Sequence, residues 1–269
     1  SAACVCGMPP KLFEVVMSFP VDVVVMAAGK GTRMKSTKPK VLHRLAGRAL
    51  AQRVLDTAAG LNARSVVVIT GHGAEQVESG LSAPQRASGA VVPLQFVRQE
   101  PQLGTGHAVQ QAAPVLPDDG VTVVLSGDVP LTQADTLQAL MDATQGERLA
   151  LLTLEMADPT GYGRIVRQAD GSVQAIVEHR DASDEQRRIR EIYSGIMAVP
   201  AKQLKTWLAK LDNQNAQGEY YLTDVVKWAV ADGVKVVAHR IQDELQVTGV
   251  NSPQQLAQLE RAYQFQKAN

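Results

Sequence analysis

The apolar positions of the chain fall into two alternating patterns. Short apolar runs stand at Val21–Met26 (broken only by Asp22), Ser65–Thr70, Val121–Leu125 and Leu149–Met156, and Leu94–Gln99 alternates. Runs of this length suit strands and are too short for isolated buried helices. Between them, apolar residues recur at helical spacing. In Arg48–Leu61, Leu50, Val54, Leu55, Ala58 and Leu61 share one side. Ala74–Leu81, Gly106–Leu116 and Leu137–Ala143 read as further helices, and Ser82–Pro93, small and polar, as a loop. This alternation predicts an α/β fold: a Rossmann-like, mostly parallel sheet with helices on both faces.

The pattern changes after Met156. Asp158–Arg164 is rich in turn residues, and Ile165–Arg167 and Ser172–Glu178 are strands split by Ala169-Asp170-Gly171. That is a hairpin, and it predicts a small antiparallel lobe over about residues 157–200. Ala182–Ile189 reads as a charged surface helix and Ile192–Val199 as a strand. Helices follow at Lys202–Leu211 and Tyr221–Val230, a strand at Val234–Ile241 and a terminal helix at Pro253–Gln266. There is no internal repeat.

At 269 residues the chain suits one large domain or two small ones, and 45% hydrophobic content supplies a substantial core. No apolar run is long enough to span a bilayer, so membrane insertion is not expected. Residues 1–19 read as an extension, with Met17 a candidate native start. The only cysteines, Cys4 and Cys6, lie there; a body without cysteine fits a cytoplasmic setting.

Charge changes the picture locally. The whole chain carries 27 basic and 27 acidic residues, yet Val23–Leu55 holds eight Lys or Arg and no Asp or Glu. Inside that stretch the first strand runs into Ala27-Ala28-Gly29-Lys30-Gly31-Thr32. Glycines after a buried strand bring main-chain N–H groups close to a ligand, and local cations make that ligand a phosphate. Two common phosphate loops fail at Met34, which stands where each pattern needs glycine. Nucleic acid is disfavoured as a partner, because aromatics are only 4% and no stacking or groove-reading motif is present. Further glycine-bearing turns, at Gly104 and Gly127, also follow strands, so all three are expected at one sheet edge.

Several side chains in these turns can carry chemistry. Arg33 and Lys40 can neutralise charge on a transferring phosphoryl group. Asp128, in Gly127-Asp128-Val129-Pro130, is placed to hold a hard cation such as Mg2+, though a turn or helix-cap aspartate has the same pattern. Asn251 offers a neutral oxygen or a helix start, and Glu178 can accept from sugar hydroxyls. His72, His107 and His179 are given no proton-transfer role, since phosphoryl transfer needs mainly positioning and charge.

The stretch Ala27-Ala28-Gly29-Lys30-Gly31-Thr32-Arg33-Met34, followed by Pro39-Lys40, resembles the signature of sugar-nucleotide pyrophosphorylases. With QLGTGHAVQQAAP, GDVPL, DPTGYGRIVR, NAQGEYYLTDVV and GVNSPQQLAQLERAYQ, the chain resembles the uridyltransferase domain of the bacterial bifunctional GlmU family from about Val21 onward. The resemblance implies a nucleotide-diphospho-sugar transferase fold and Mg2+-dependent transfer of UMP from UTP to N-acetylglucosamine 1-phosphate. It implies that Ala27, Ala28, Gly29 and Lys40 hold the nucleotide and its phosphates, with Arg33 and Lys40 catalytic. Gln99, Gly104 and Thr105 would contact uracil and nearby groups, and Gly127 the substrate. Gly163 and Glu178 would line the sugar pocket, and Asp128 and Asn251 hold the metal.

Two positions depart from the family motifs: Ser126 stands where Tyr is frequent, and Tyr193 where an asparagine touches the sugar. Tyr193 is expected to line the sugar pocket, the alternative being that its ring packs inward from the apolar strand Ile192–Val199. On this reading residues 20–252 form the transferase domain and 253–269 a helix leading towards a β-helix through which full-length family members trimerise. No hexapeptide repeat is present in this sequence, so acetyl transfer is not expected of it. The rival readings are a pyrophosphorylase for another sugar phosphate or nucleotide and, from a different class, a binding-only module.

Overall fold

A computed structural model describes residues 18–268; Cys4, Cys6, Met17 and the rest of the expected extension before residue 18 lie outside them. Among the described residues the first element is β1 (Val21–Ala27), followed by a long loop holding two 3-10 turns, Thr32–Met34 and Lys40–Leu42. A two-stranded hairpin, β2 (Arg44–Leu45) and β3 (Arg48–Ala49), leads into α1 (Leu50–Gly60). Then come β4 (Ser65–Thr70), α2 (Ala74–Gly80), β5 (Leu94–Arg98), α3 (Thr105–Ala112), β6 (Val121–Ser126), α4 (Ala134–Thr144) and β7 (Leu149–Glu155). The second half contains β8 (Arg164–Arg167), β9 (Val173–Val177), α5 (Asp184–Arg187), β10 (Glu191–Pro200), α6 (Ala201–Leu208), α7 (Val225–Ala231), β11 (Val236–Arg240) and α8 (Pro253–Ala268).

The main sheet runs β11-β7-β10-β6-β1-β4-β5. β10 is antiparallel to both its neighbours; the other pairs on this path are parallel. β1 shows why the sheet is covered on both sides. Val23 and Val25 enter one core with α1 and α4, and Val24 enters the other with α3, α6 and α7. Asp22, the one polar residue in that run, is fully buried and accepts hydrogen bonds from Arg64 at 2.7 Å and Ser65 at 2.7 Å. A buried carboxylate is tolerable here because both oxygens have partners.

Four details differ from the sequence pattern. The first helix starts at Leu50, because Arg48–Ala49 pairs back on Arg44–Leu45 across a turn with positive φ at Ala46 and Gly47. The first turn of the Tyr221–Val230 segment is a 3-10 turn, Leu222–Asp224. The segment around Ala182–Ile189 keeps only four helical residues, closed by a capping box between Ser183 and Gln186. The β8–β9 hairpin extends the main sheet through a single pairing of Ile192 with Arg164 instead of standing apart.

At one end, Phe19 packs on the main core and against Gly146. At the other, α8 returns to the domain: Leu259 packs with Met34, Leu45, Leu50 and Val250 in a third small core. The guanidinium of Arg53 lies 4.9 Å from the centre of the Tyr263 ring.

Candidate active site

The loops after β1, β5 and β6 leave the sheet at the carboxyl ends of neighbouring strands, where open α/β sheets form their binding crevice. A cavity of about 370 Å3 opens there, lined by Ala27, Ala28, Gly29, Lys40, Gln99, Gly104, Thr105 and Asp128 among others. A second, about 810 Å3, lies towards α8 and includes Arg33, Asp128, Tyr162 and Asn251. A third, about 220 Å3, lies towards the β8–β9 hairpin and includes Gly163, Glu178, Tyr193 and Thr223. Ser126, the last residue of β6, lines all three. The cavities therefore adjoin and form one cleft with three arms.

Two glycines shape the first arm. At Gly31, φ is +58° and a Cβ would stand 2.7 Å from Lys40 Cβ, so a side chain there would push the lysine away. At Gly104, φ is +118° and a Cβ would stand 2.6 Å from the carbonyl oxygen of Tyr220. That close approach lets the 219–222 segment dock on the loop, with Tyr220 N–H donating to Leu103 O and Gly106 N–H to Tyr220 O.

Gln99 is 4% exposed and donates its side-chain amide to Gly104 O at 3.0 Å and to His107 Nδ1 at 3.1 Å. Burial lowers the His107 pKa, which favours the neutral ring that can accept at Nδ1. With both amide protons committed, the carbonyl oxygen of Gln99 is left as an acceptor for a ligand. Gln102 donates to Ala28 O and so ties the β5 loop to the β1 loop.

At the boundary of the first two arms, Lys40 Nζ donates to Asp128 Oδ2 at 2.7 Å and to Asn251 Oδ1 at 3.0 Å. Asn251 is held in turn: Val250 N–H donates to Asp128 O and Asn251 N–H to Gln255 Oε1. Asp128 and Asn251 thus present one anionic and one neutral oxygen to the same cation. Two such oxygens fit Mg2+, which keeps waters and phosphate oxygens for its remaining positions. No cluster of three or more acidic, histidine or cysteine ligands exists among the described residues. Arg33 is exposed and has no protein partner among the described residues, which leaves its guanidinium free for an anion in the second arm.

In the third arm, Glu178 Oε1 accepts from Thr223 Oγ1 at 3.0 Å. Burial pushes the Glu178 pKa up, against the opposing effect of that hydrogen bond. Gly163 O accepts from Tyr193 N–H at 2.9 Å, and a Cβ on Gly163 would meet Ile176 at 2.9 Å.

The described fold thus sets out one three-armed cleft whose lining includes Lys40 and Arg33 together with the acidic residues Asp128, Glu178, Glu219 and Glu244. Residues 23–196 match the MobA-like NTP transferase domain. The chain belongs to this family. It is 71% identical over 248 residues to the bifunctional protein GlmU of Polaromonas naphthalenivorans (strain CJ2), covering 91% of this chain and 52% of that protein. It is 69% identical over 248 residues to bifunctional protein GlmU of Albidiferax ferrireducens, covering 92% of this chain and 53% of that one. The chain therefore spans about half the length of the curated relatives it matches. Among solved structures, UDP-glucose pyrophosphorylase complexed with UDP-glucose superposes with a TM-score of 0.74 at 17% identity, covering 92% of this chain and 99% of that one. That likeness concerns the fold.

Within this NTP transferase domain, the residues named from sequence gather on the cleft, with one exception. Gly127 lines none of the three arms; its N–H donates to Met26 O, and a Cβ would stand 3.1 Å from Val41. Nor do His72, His107 and His179 line an arm. Sequence reading missed Gln102, Thr223 and Ser126 as cleft residues. Gln102 and Ser126 flank glycine turns already in view, so their positions carried a signal. Thr223 lies in NAQGEYYLTDVV, one of the segments that carry the resemblance, but its periodicity read as plain helix.

Proposed function

We propose that this chain transfers UMP from UTP to N-acetylglucosamine 1-phosphate, giving UDP-N-acetylglucosamine and pyrophosphate. The observation that carries this reading is the meeting of three arms at Ser126 beside the Lys40–Asp128–Asn251 cluster. A nucleotide fits the first arm, where Gln99 offers an acceptor and Ala28 and Gly29 line the phosphate side. The sugar fits the third arm, against Glu178 and Gly163. The phosphates of both substrates then converge between the arms.

A sugar-phosphate oxygen attacks the α-phosphorus of UTP, the bond to the β-phosphate oxygen breaks, and pyrophosphate leaves. Lys40 and Arg33 offset the charge that develops on the phosphates, and the loop fixed by Gly31 holds Lys40 in place. Asp128 and Asn251 would hold Mg2+, which would screen the phosphate charge and orient the oxygens. No proton acceptor is required, because the attacking phosphate is already ionised. The absence among the described residues of a helix long and apolar enough to cross a membrane is compatible with UTP as a substrate met in the cytoplasm.

A panel of nucleoside triphosphates against sugar 1-phosphates, read by pyrophosphate release, tests the assignment. UTP with N-acetylglucosamine 1-phosphate should give the highest kcat/KM. A clear preference for another pair would replace it with a pyrophosphorylase of different specificity, and no turnover with any pair would favour a binding-only module.

A further inference from the structure

Two carboxylates line the first arm, and they are differently placed. Asp128 is bound by Lys40 at 2.7 Å. Glu219 is half-buried, and its carboxylate has no hydrogen-bond or ion-pair partner among the described residues. It does not line the second or the third arm.

The backbone fixes this placement. Glu219 N–H donates to Asn215 Oδ1 at 3.2 Å, and Asn215 Nδ2 donates to Glu219 O at 2.6 Å, so one asparagine holds both main-chain groups of the glutamate. A Cβ on Gly104 would stand 3.0 Å from Glu219 Cβ, so the bare glycine is what lets the glutamate come up to the loop. The carbonyl of that same Gly104 accepts from Gln99 at 3.0 Å. Glu219 therefore belongs to the Gln99 end of the arm.

The chemistry of a uridine nucleotide narrows what an unpaired carboxylate can do there. A carboxylate accepts hydrogen bonds and donates none. The phosphates are anionic and repel it. Uracil has a single ring N–H to give, and the carbonyl oxygen of Gln99, whose amide protons are committed to Gly104 and His107, is the acceptor already placed for it. The donors that remain are the two ribose hydroxyls. Acidic side chains hold ribose in this way beside other parallel sheets.

We propose that Glu219 reads the ribose: its carboxylate accepts from the 2′- and 3′-hydroxyls of the nucleotide and selects ribonucleotides over deoxyribonucleotides. This rests on the reading of the first arm as the nucleotide site. A glutamate that was merely solvated would act in the opposite sense, because its charge would repel the phosphates and its removal would tighten binding.

Calorimetry with UDP and with 2′,3′-dideoxy-UDP, on the wild-type chain, Glu219→Ala and Glu219→Gln, tests it. The wild type should bind UDP at least about tenfold more tightly than the dideoxy analogue, as for hydrogen bonds to a charged group. Glu219→Ala should lose that factor for UDP, bind the analogue no more weakly than the wild type does, and no longer tell the two apart. Glu219→Gln keeps an acceptor without the charge and should fall between. Asn215 holds the main chain of Glu219 and not its side chain, so both variants should melt like the wild type. A preference for UDP that survives in Glu219→Ala, an equal loss for both ligands, or tighter UDP binding by that variant would each overturn the proposal. So would a wild type that binds the two ligands equally, which would remove Glu219 alone; a wild type that binds no UDP would remove the nucleotide reading of the arm as well.

Discussion

Lys40 does two things that pull in opposite directions. Its ammonium lies on the two oxygens that suit a metal, and in the proposed reaction its charge would also serve the phosphates. A metal cation and the lysine therefore compete for Asp128 and Asn251 in the free chain. Lys40→Ala should bind Mn2+ more tightly than wild type without nucleotide, as read by electron paramagnetic resonance. The same variant should lose about a hundredfold in turnover, the usual cost of one preorganised charge contact. Weaker metal binding together with normal turnover would contradict both roles.

Glu178 gives a prediction whose sign follows from burial. Its pKa is raised above the ordinary 4.5 of a free glutamate. Ionising it therefore costs the folded chain more than the unfolded one, and its contribution to stability falls as pH rises from 4.5 through the raised value. Glu178→Gln removes that cost. Denaturant titrations should show the variant more stable than wild type at neutral pH, with the difference vanishing below pH 4.5, while its affinity for the sugar phosphate drops. A variant less stable at neutral pH would refute the sign. At this scale the sequence was legible where a residue type declares its chemistry, as for Lys40, Asp128 and Glu178. It was not legible for the partners that fix such residues, because Thr223 meets Glu178, and His107 meets Gln99, only through the fold.

At the scale of elements, the third arm depends on a buried arginine. Arg164, at the start of β8, is 1% exposed and donates to the main-chain carbonyls of Ile189, Tyr162 and Arg187. It thereby ties the turn-rich loop before β8 to the excursion that carries α5. Arg164→Met keeps much of the bulk but leaves those carbonyls unpaired, which should cost about 3 kcal/mol in denaturant unfolding. The KM for the sugar phosphate should rise more than that for UTP; equal changes would argue against a local role. Sequence periodicity located the strands well because each is apolar and bounded by turns. It misjudged the start of the first helix, where a two-residue hairpin competes with helix for Arg48 and Ala49, and it had no means of seeing the β10 bulge.

At the scale of the molecule, the cleft is assembled from distant parts of the chain. The β1 loop supplies Lys40, β6 supplies Asp128 just beyond its end, and the segment before α8 supplies Asn251. α8 packs on Met34 of the loop after β1 and on Val250, so one helix braces both sides of the Lys40–Asp128–Asn251 cluster. The resemblance in the first loop pointed to the chemistry, while the convergence of Lys40 and Asn251 on Asp128 needed the fold. The most direct test of the account is the amount of UDP-N-acetylglucosamine formed from UTP and N-acetylglucosamine 1-phosphate with Mg2+, measured by mass spectrometry for the wild-type chain and for Asp128→Ala. The account predicts UDP-N-acetylglucosamine with an equal quantity of pyrophosphate from the wild type, and almost none from a variant that melts like the wild type. No such product from the wild type, or equal product from the two proteins, would contradict it.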